Sequence, residues 1–94
     1  MEAAAALAEA ASWPEVSRGG DELFHAGRPF ARLSGGRIEI RLAPGLRAML
    51  VELGRAEPLD DASWVRAAAG QELERLRLAH ARARVAERVR DARR

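Results

Sequence analysis

Two adjacent glycines, Gly35 and Gly36, constrain this chain more than anything else in it, because the runs on either side are mutually consistent only as a β-hairpin. Downstream, Ile38, Ile40 and Leu42 alternate with Arg37, Glu39 and Arg41, the two-residue period of a half-buried strand. A two-residue turn with positive φ at both positions suits Gly-Gly and sets the register. Ser34 faces Arg37, Leu33 faces Ile38, Arg32 faces Glu39, Ala31 faces Ile40 and Phe30 faces Arg41. Leu33, Ala31, Ile38 and Ile40 then point inward. Arg32 pairs with Glu39 outside, and Phe30 lies beside the Arg41 guanidinium as a cation–π pair.

The flanking segments follow from propensity and punctuation. Glu2 to Ser12 is nearly all alanine with Leu7 as its one large apolar group, which predicts a lightly packed helix. Trp13-Pro14 ends it, and Ser17 to Asp21 reads as a loop. Glu22 to Ala26 and Pro29 to Leu33 are short strands. After the hairpin, Pro44 opens a short helix with Leu46, Met49, Leu50 and Leu53 on one face and Gly54 at its C-terminus. Arg55 to Asp61 reads as a loop. In Ser63 to Ala68, Ser63-Trp64-Val65 favours strand over the helix preference of the alanines that follow. A long basic helix runs from about Gln71, with two apolar stripes: Leu73, Leu76, Ala79, Ala83 and Ala86 on one, Leu78, Ala81, Val85, Val89 and Ala92 on the other. The expected fold is one α+β domain over residues 1–94, with about four mainly antiparallel strands, an N-terminal helix, a short middle helix and a long C-terminal helix.

At 94 residues the chain holds a single core. Its apolar stretches are too short to span a bilayer, and its N-terminus lacks the basic lead-in of a secretory signal, so a cytoplasmic location without membrane contact is expected. Cysteine is absent, which removes disulfides, thiolate nucleophiles and thiolate metal sites together. His25 and His80 stand far apart with no ligand cluster around either. Both are expected to be structural, and no cofactor or metal is expected. All sixteen basic side chains are arginine, so a high isoelectric point accompanies a net charge of only +2. The last helix carries the basic excess.

Several residues together resemble a family. Trp13-Pro14-Glu15-Val16, Gly27-Arg28-Pro29-Phe30, Gly54-Arg55-Ala56-Glu57-Pro58, Ser63-Trp64-Val65 and Leu76-Arg77-Leu78-Ala79-His80 are similar in order and spacing, over roughly residues 13 to 84, to the small luciferase-like domain family of bacteria. That resemblance implies a strand at Ser63 to Ala68 and helices on one side of an antiparallel sheet; the family name implies no reaction. Where the family tends to carry His-x-His-Gly after the second strand, this chain has Ala31-Arg32-Leu33-Ser34-Gly35-Gly36. A looser likeness, to the MmcQ/YjbR group, implies a DNA-binding-like role.

Each feature that bears on function has a plain structural counterpart. Asp60-Asp61 reads as turn chemistry, and Ser34 to Arg37 as a hairpin turn in place of an anion nest. Trp64 is expected in the core and Trp13 over the sheet edge. Arg28, Arg32, Arg37 and Arg41 fall on or beside the hairpin and are candidate contacts for an anion or nucleic acid, against an ordinary solvated sheet face. Leu78, Val85 and Val89 form an apolar surplus that homodimerisation or packing on the N-terminal helix would bury. The expected function is a non-catalytic binding or protein-interaction domain that self-associates. Weak nucleic-acid binding is the alternative, and an enzyme of unknown reaction the second alternative.

Overall fold

The computed structural model describes residues 2–93. Three helices, α1 (Ala3–Ala11), α2 (Pro44–Glu52) and α3 (Glu72–Ala92), accompany six strands: β1 (Val16–Gly19), β2 (Glu22–His25), β3 (Arg28–Ser34), β4 (Arg37–Arg41), β5 (Ala56–Pro58) and β6 (Trp64–Ala67). The strands form one antiparallel sheet in the order β1-β2-β3-β4-β6-β5. The α+β class is as expected, but the sheet has six strands where four were expected. Both additions are edge strands in segments read as loops. β1 is polar and largely exposed, so it shows no inward–outward alternation. β5 contains Pro58, which an edge strand tolerates because its missing N–H faces away from the ladder.

The Gly35-Gly36 hairpin forms with positive φ at both glycines, and its register at Ala31–Ile40, Arg32–Glu39, Leu33–Ile38 and Ser34–Arg37 is the expected one. Phe30 departs from it. β2 and β3 pair Leu23 with Ala31 but Phe24 with Pro29, leaving Phe30 as the extra residue of a β-bulge. The bulge turns Phe30 inward beside Ala31, so both are buried and Phe30 packs its ring 5.4 Å from His80 instead of over Arg41.

The β2–β3 turn needs the same positive φ as the Gly-Gly turn, yet uses Ala26 at φ 52 before Gly27. A Cβ in that region costs about 1 kcal/mol or more. Ala26→Gly is therefore expected to raise the unfolding free energy by about 0.5 kcal/mol, net of the larger entropy of an unfolded glycine. Urea titration checks it; a destabilised variant would mean that Ala26 makes packing its exposure does not indicate.

α1 and α3 lie on one face of the sheet. Alternate residues Leu23, Ala31, Ile38, Ile40, Val65 and Ala67 meet Ala3, Ala6, Leu7, Ala10, Leu76 and Ala79 there. α1 is not lightly packed: its alanines let the helix approach closely enough to bury Ala3, Ala6 and Ala10 along with Leu7. α2 buries only Leu50 and leaves Met49 and Leu53 exposed, contrary to its expected four-residue face. Its C-terminus closes as foreseen, with Gly54 at φ 69, Gly54 N–H donating to the Val51 carbonyl and Arg55 N–H to the Leu50 carbonyl.

The opposite face is not a plain solvated surface. Glu39 is buried there, accepting from Arg32 Nε at 2.6 Å and lying 3.8 Å from Arg66 Nη2. Trp64 is buried, as expected, but on this same face and apart from the main cluster, with the Arg32 guanidinium 4.0 Å above its ring. Strand alternation explains the displacement. Val65 and Ala67 point into the core, so Trp64 and Arg66 must point away from it.

Candidate binding cleft

A cleft of about 540 Å³ opens where α3 runs past the end of the sheet. One wall is the distal half of α3, with Ala83, Val85, Ala86 and Val89. The other comes from strand ends and the start of α2, including Phe30, Leu42, Ala43 and Pro44. Val85 and Val89 are each 44% exposed; Met49 and Leu53 of α2 are also open to water, but only the two valines line a concavity together. Leu78 starts the same stripe but is half-buried against the core, so the three candidate self-association residues do not form one exposed patch. Only Val85 and Val89 face the cleft.

The four candidate arginines divide in the same way. Arg32 is held by Glu39 and Trp64. Arg37 donates to Glu57 at 2.8 Å and to the Ala67 carbonyl at 2.9 Å. Arg28 and Arg41 are exposed on the cleft rim, where Arg82 and Arg90 of α3 join them. None of these four makes an ion pair or a side-chain hydrogen bond among the described residues. Arg82 and Arg90 are not legible in the sequence because only the docking of α3 brings them to Arg41, more than forty residues earlier in the chain.

At the inner end of the cleft, His25 is 2% exposed and its Nε2 is bonded to the Glu87 carboxylate of α3. The partner lies 62 residues away, which is why the sequence around His25 offered none. His25 packs edge-on to His80, 5.3 Å between ring centroids, and His80 also meets Trp13 at 5.9 Å. Trp13 thus covers the helix-to-sheet seam, with the Arg77 guanidinium 5.9 Å from its ring.

Burial pushes the His80 imidazole below its ordinary pKa; His25 and then Arg84 act in the same direction, and Glu15 opposes them. The unfolded imidazole therefore takes up its proton at a higher pH than the folded one. The unfolded state binds more protons below about pH 6.5, and stability falls as the pH drops through that range. His80→Phe is expected to flatten this acid limb in urea titrations at pH 7.5, 6.5 and 5.5; an unchanged slope would place the titration elsewhere.

Among the described residues, no group of three His, Cys, Asp or Glu side chains is placed to hold a metal ion. Among the same described residues, no helix is long and apolar enough to cross a membrane. Asp61 does turn work, its carboxylate accepting from the Ser63 N–H at 2.9 Å. What the cleft offers chemically is a concave apolar lining edged by cations. The fold is an antiparallel sheet with two helices on one face. The chain matches no protein-family model, no curated protein and no solved structure.

Proposed function

We propose that the protein is a non-catalytic binding domain and that the cleft along the distal half of α3 is where it binds. The observation that carries this is the pairing, in one concavity, of exposed Val85 and Val89 with four arginines that make no ion pair among the described residues. A packed core supplies no reason to leave such groups open to water. His25 and Glu87, the one imidazole–carboxylate pair among the described residues, serve in this reading to fasten α3 to the sheet end.

Anilinonaphthalene sulfonate, an apolar dye with one negative charge, tests it directly. The folded protein is expected to bind one dye per chain with enhanced fluorescence. Val85→Glu combined with Val89→Glu should abolish the enhancement without changing the circular dichroism. A folded wild type that leaves the dye dark overturns the proposal.

Self-association through α3 is the second reading, favoured by the exposure of the same two valines. It predicts a dimer in sedimentation that persists in high salt and dissociates in Val89→Glu. The nucleic-acid reading that goes with the MmcQ/YjbR likeness has less support, because Arg32 and Arg37 are engaged within the chain.

A further inference from the structure

We infer that the cleft is an anion site whose ligand joins a compact dianionic head, a phosphomonoester in chemistry, to an apolar body of small-molecule size. The inference rests on the cleft being the binding site.

The rim argues for the head. Arg28 and Arg41 come from strand ends and Arg82 and Arg90 from α3, and among the described residues no carboxylate lines the cleft to balance them. Elsewhere, Arg32 and Arg66 have Glu39, Arg37 has Glu57, and Arg84 lies 3.7 Å from Glu15; arginines such as Arg55 and Arg88 that also make no ion pair among the described residues lie outside the cleft lining. The carboxylate one helical turn before Arg90 is Glu87, the natural partner at that spacing, and it is turned away to His25. The same contact that fastens α3 thereby leaves Arg90 without a carboxylate partner among the described residues. Arg82 and Arg90 are eight residues apart, about 12 Å along the helix axis, a gap that long side chains reaching inward can close around one group. Guanidinium forks match phosphate oxygens in pairs, and several of them call for more than one negative charge. α2 adds to the field. Its nine-residue helix begins in the cleft wall at Ala43-Pro44 with no side chain capping its first amides.

The walls argue for the body. Phe30, Leu42, Val85 and Val89 are apolar, and the volume falls within the roughly 300–1,000 Å³ usual for small-molecule sites. A nucleic-acid strand fits less well. Its bases need exposed rings to stack on, and Phe30, the one aromatic carbocycle in the lining, is 3% exposed.

Calorimetry with naphthyl phosphate, naphthol and inorganic phosphate tests the assignment. Naphthyl phosphate is expected to bind once per chain, about tenfold or more tightly than either fragment. Arg41→Gln with Arg90→Gln should weaken it by about tenfold, whereas Arg18→Gln, on β1 and outside the cleft lining, should leave it unchanged. Circular dichroism confirms that each variant is folded. Naphthol binding as well as naphthyl phosphate overturns the anion site while leaving dye binding, and so the cleft itself, intact. Inorganic phosphate binding as well as naphthyl phosphate overturns the apolar body. A short single-stranded oligonucleotide that displaces naphthyl phosphate with a steep salt dependence makes the rim a nucleic-acid surface and overturns the small-molecule assignment.

Discussion

Leu76→Ala is expected to destabilise the protein by about 3 kcal/mol or more, within the range of about 2–5 kcal/mol for truncating a buried leucine. Leu76 is completely buried where α3 meets the sheet. Within α1 and α3 the other fully buried large side chain is Leu7; the remaining buried apolar residues of these two helices are Ala3, Ala6, Ala10 and Ala79. Alanines have no side-chain atoms to swing into a vacated volume, so the cavity stays open and the cost lies above the low end of the range. For a small domain that is a large share of the total stability. A lower urea midpoint at unchanged slope checks it; a loss below about 1 kcal/mol would mean that α3 is not held by this contact.

Glu39→Ala is expected to cost about 2 kcal/mol. Glu39 is 4% exposed and its carboxylate serves both Arg32 and Arg66. Truncation leaves two guanidiniums facing each other across β4 with no counter-charge. Breaking a fully buried pair costs about 3–5 kcal/mol. Both arginines here are about a third exposed, so water takes up part of the loss and the lower figure applies. The Arg32→Ala, Glu39→Ala double-mutant cycle isolates the coupling, which should shrink in high salt. A cycle that closes to zero would reduce the network to surface decoration.

The hairpin was legible because its signal is entirely local. Gly35-Gly36 restricts the turn, and alternation on both sides leaves one register that buries Leu33, Ala31, Ile38 and Ile40 together. The helices were legible for a similar reason: Pro44 and Gly54 bracket α2, and α3 carries apolar residues at helical spacing. β1 and β5 were missed because edge strands are stabilised by a neighbour's hydrogen bonds, not by an alternating pattern of their own. The bulge at Phe30 is not legible because it depends on where β2 pairs with β3, outside the hairpin that the glycines announce.

The cleft was half legible. Arg28, Arg41, Val85 and Val89 stood out in the sequence, but as members of two separate surfaces, a hairpin and a helix stripe. Arg32 and Arg37 were grouped with the first two because strand alternation puts Arg32 and the odd-numbered Arg37 and Arg41 on one face. Which guanidinium finds a carboxylate is a question of cross-strand neighbours: Arg32 meets Glu39 on β4, and Arg37 meets Glu57 on the unforeseen β5. Leu78 was grouped with Val85 and Val89 by helical phase, and phase does not record where along α3 the sheet stops.

By itself, then, the sequence determined the turns, the hairpin register, the helices and the α+β class, all set by steric limits and periodicities within a few residues. Tertiary structure decided the number of strands, the burial of Glu39 and Trp64 on the second face, the joining of His25 to Glu87, and the gathering of Arg28, Arg41, Arg82 and Arg90 around one cleft. Those outcomes depend on which distant groups share a space after folding. Desolvation and charge pairing act across space, and residues 62 positions apart exert them on one another only when the helix has docked on the sheet.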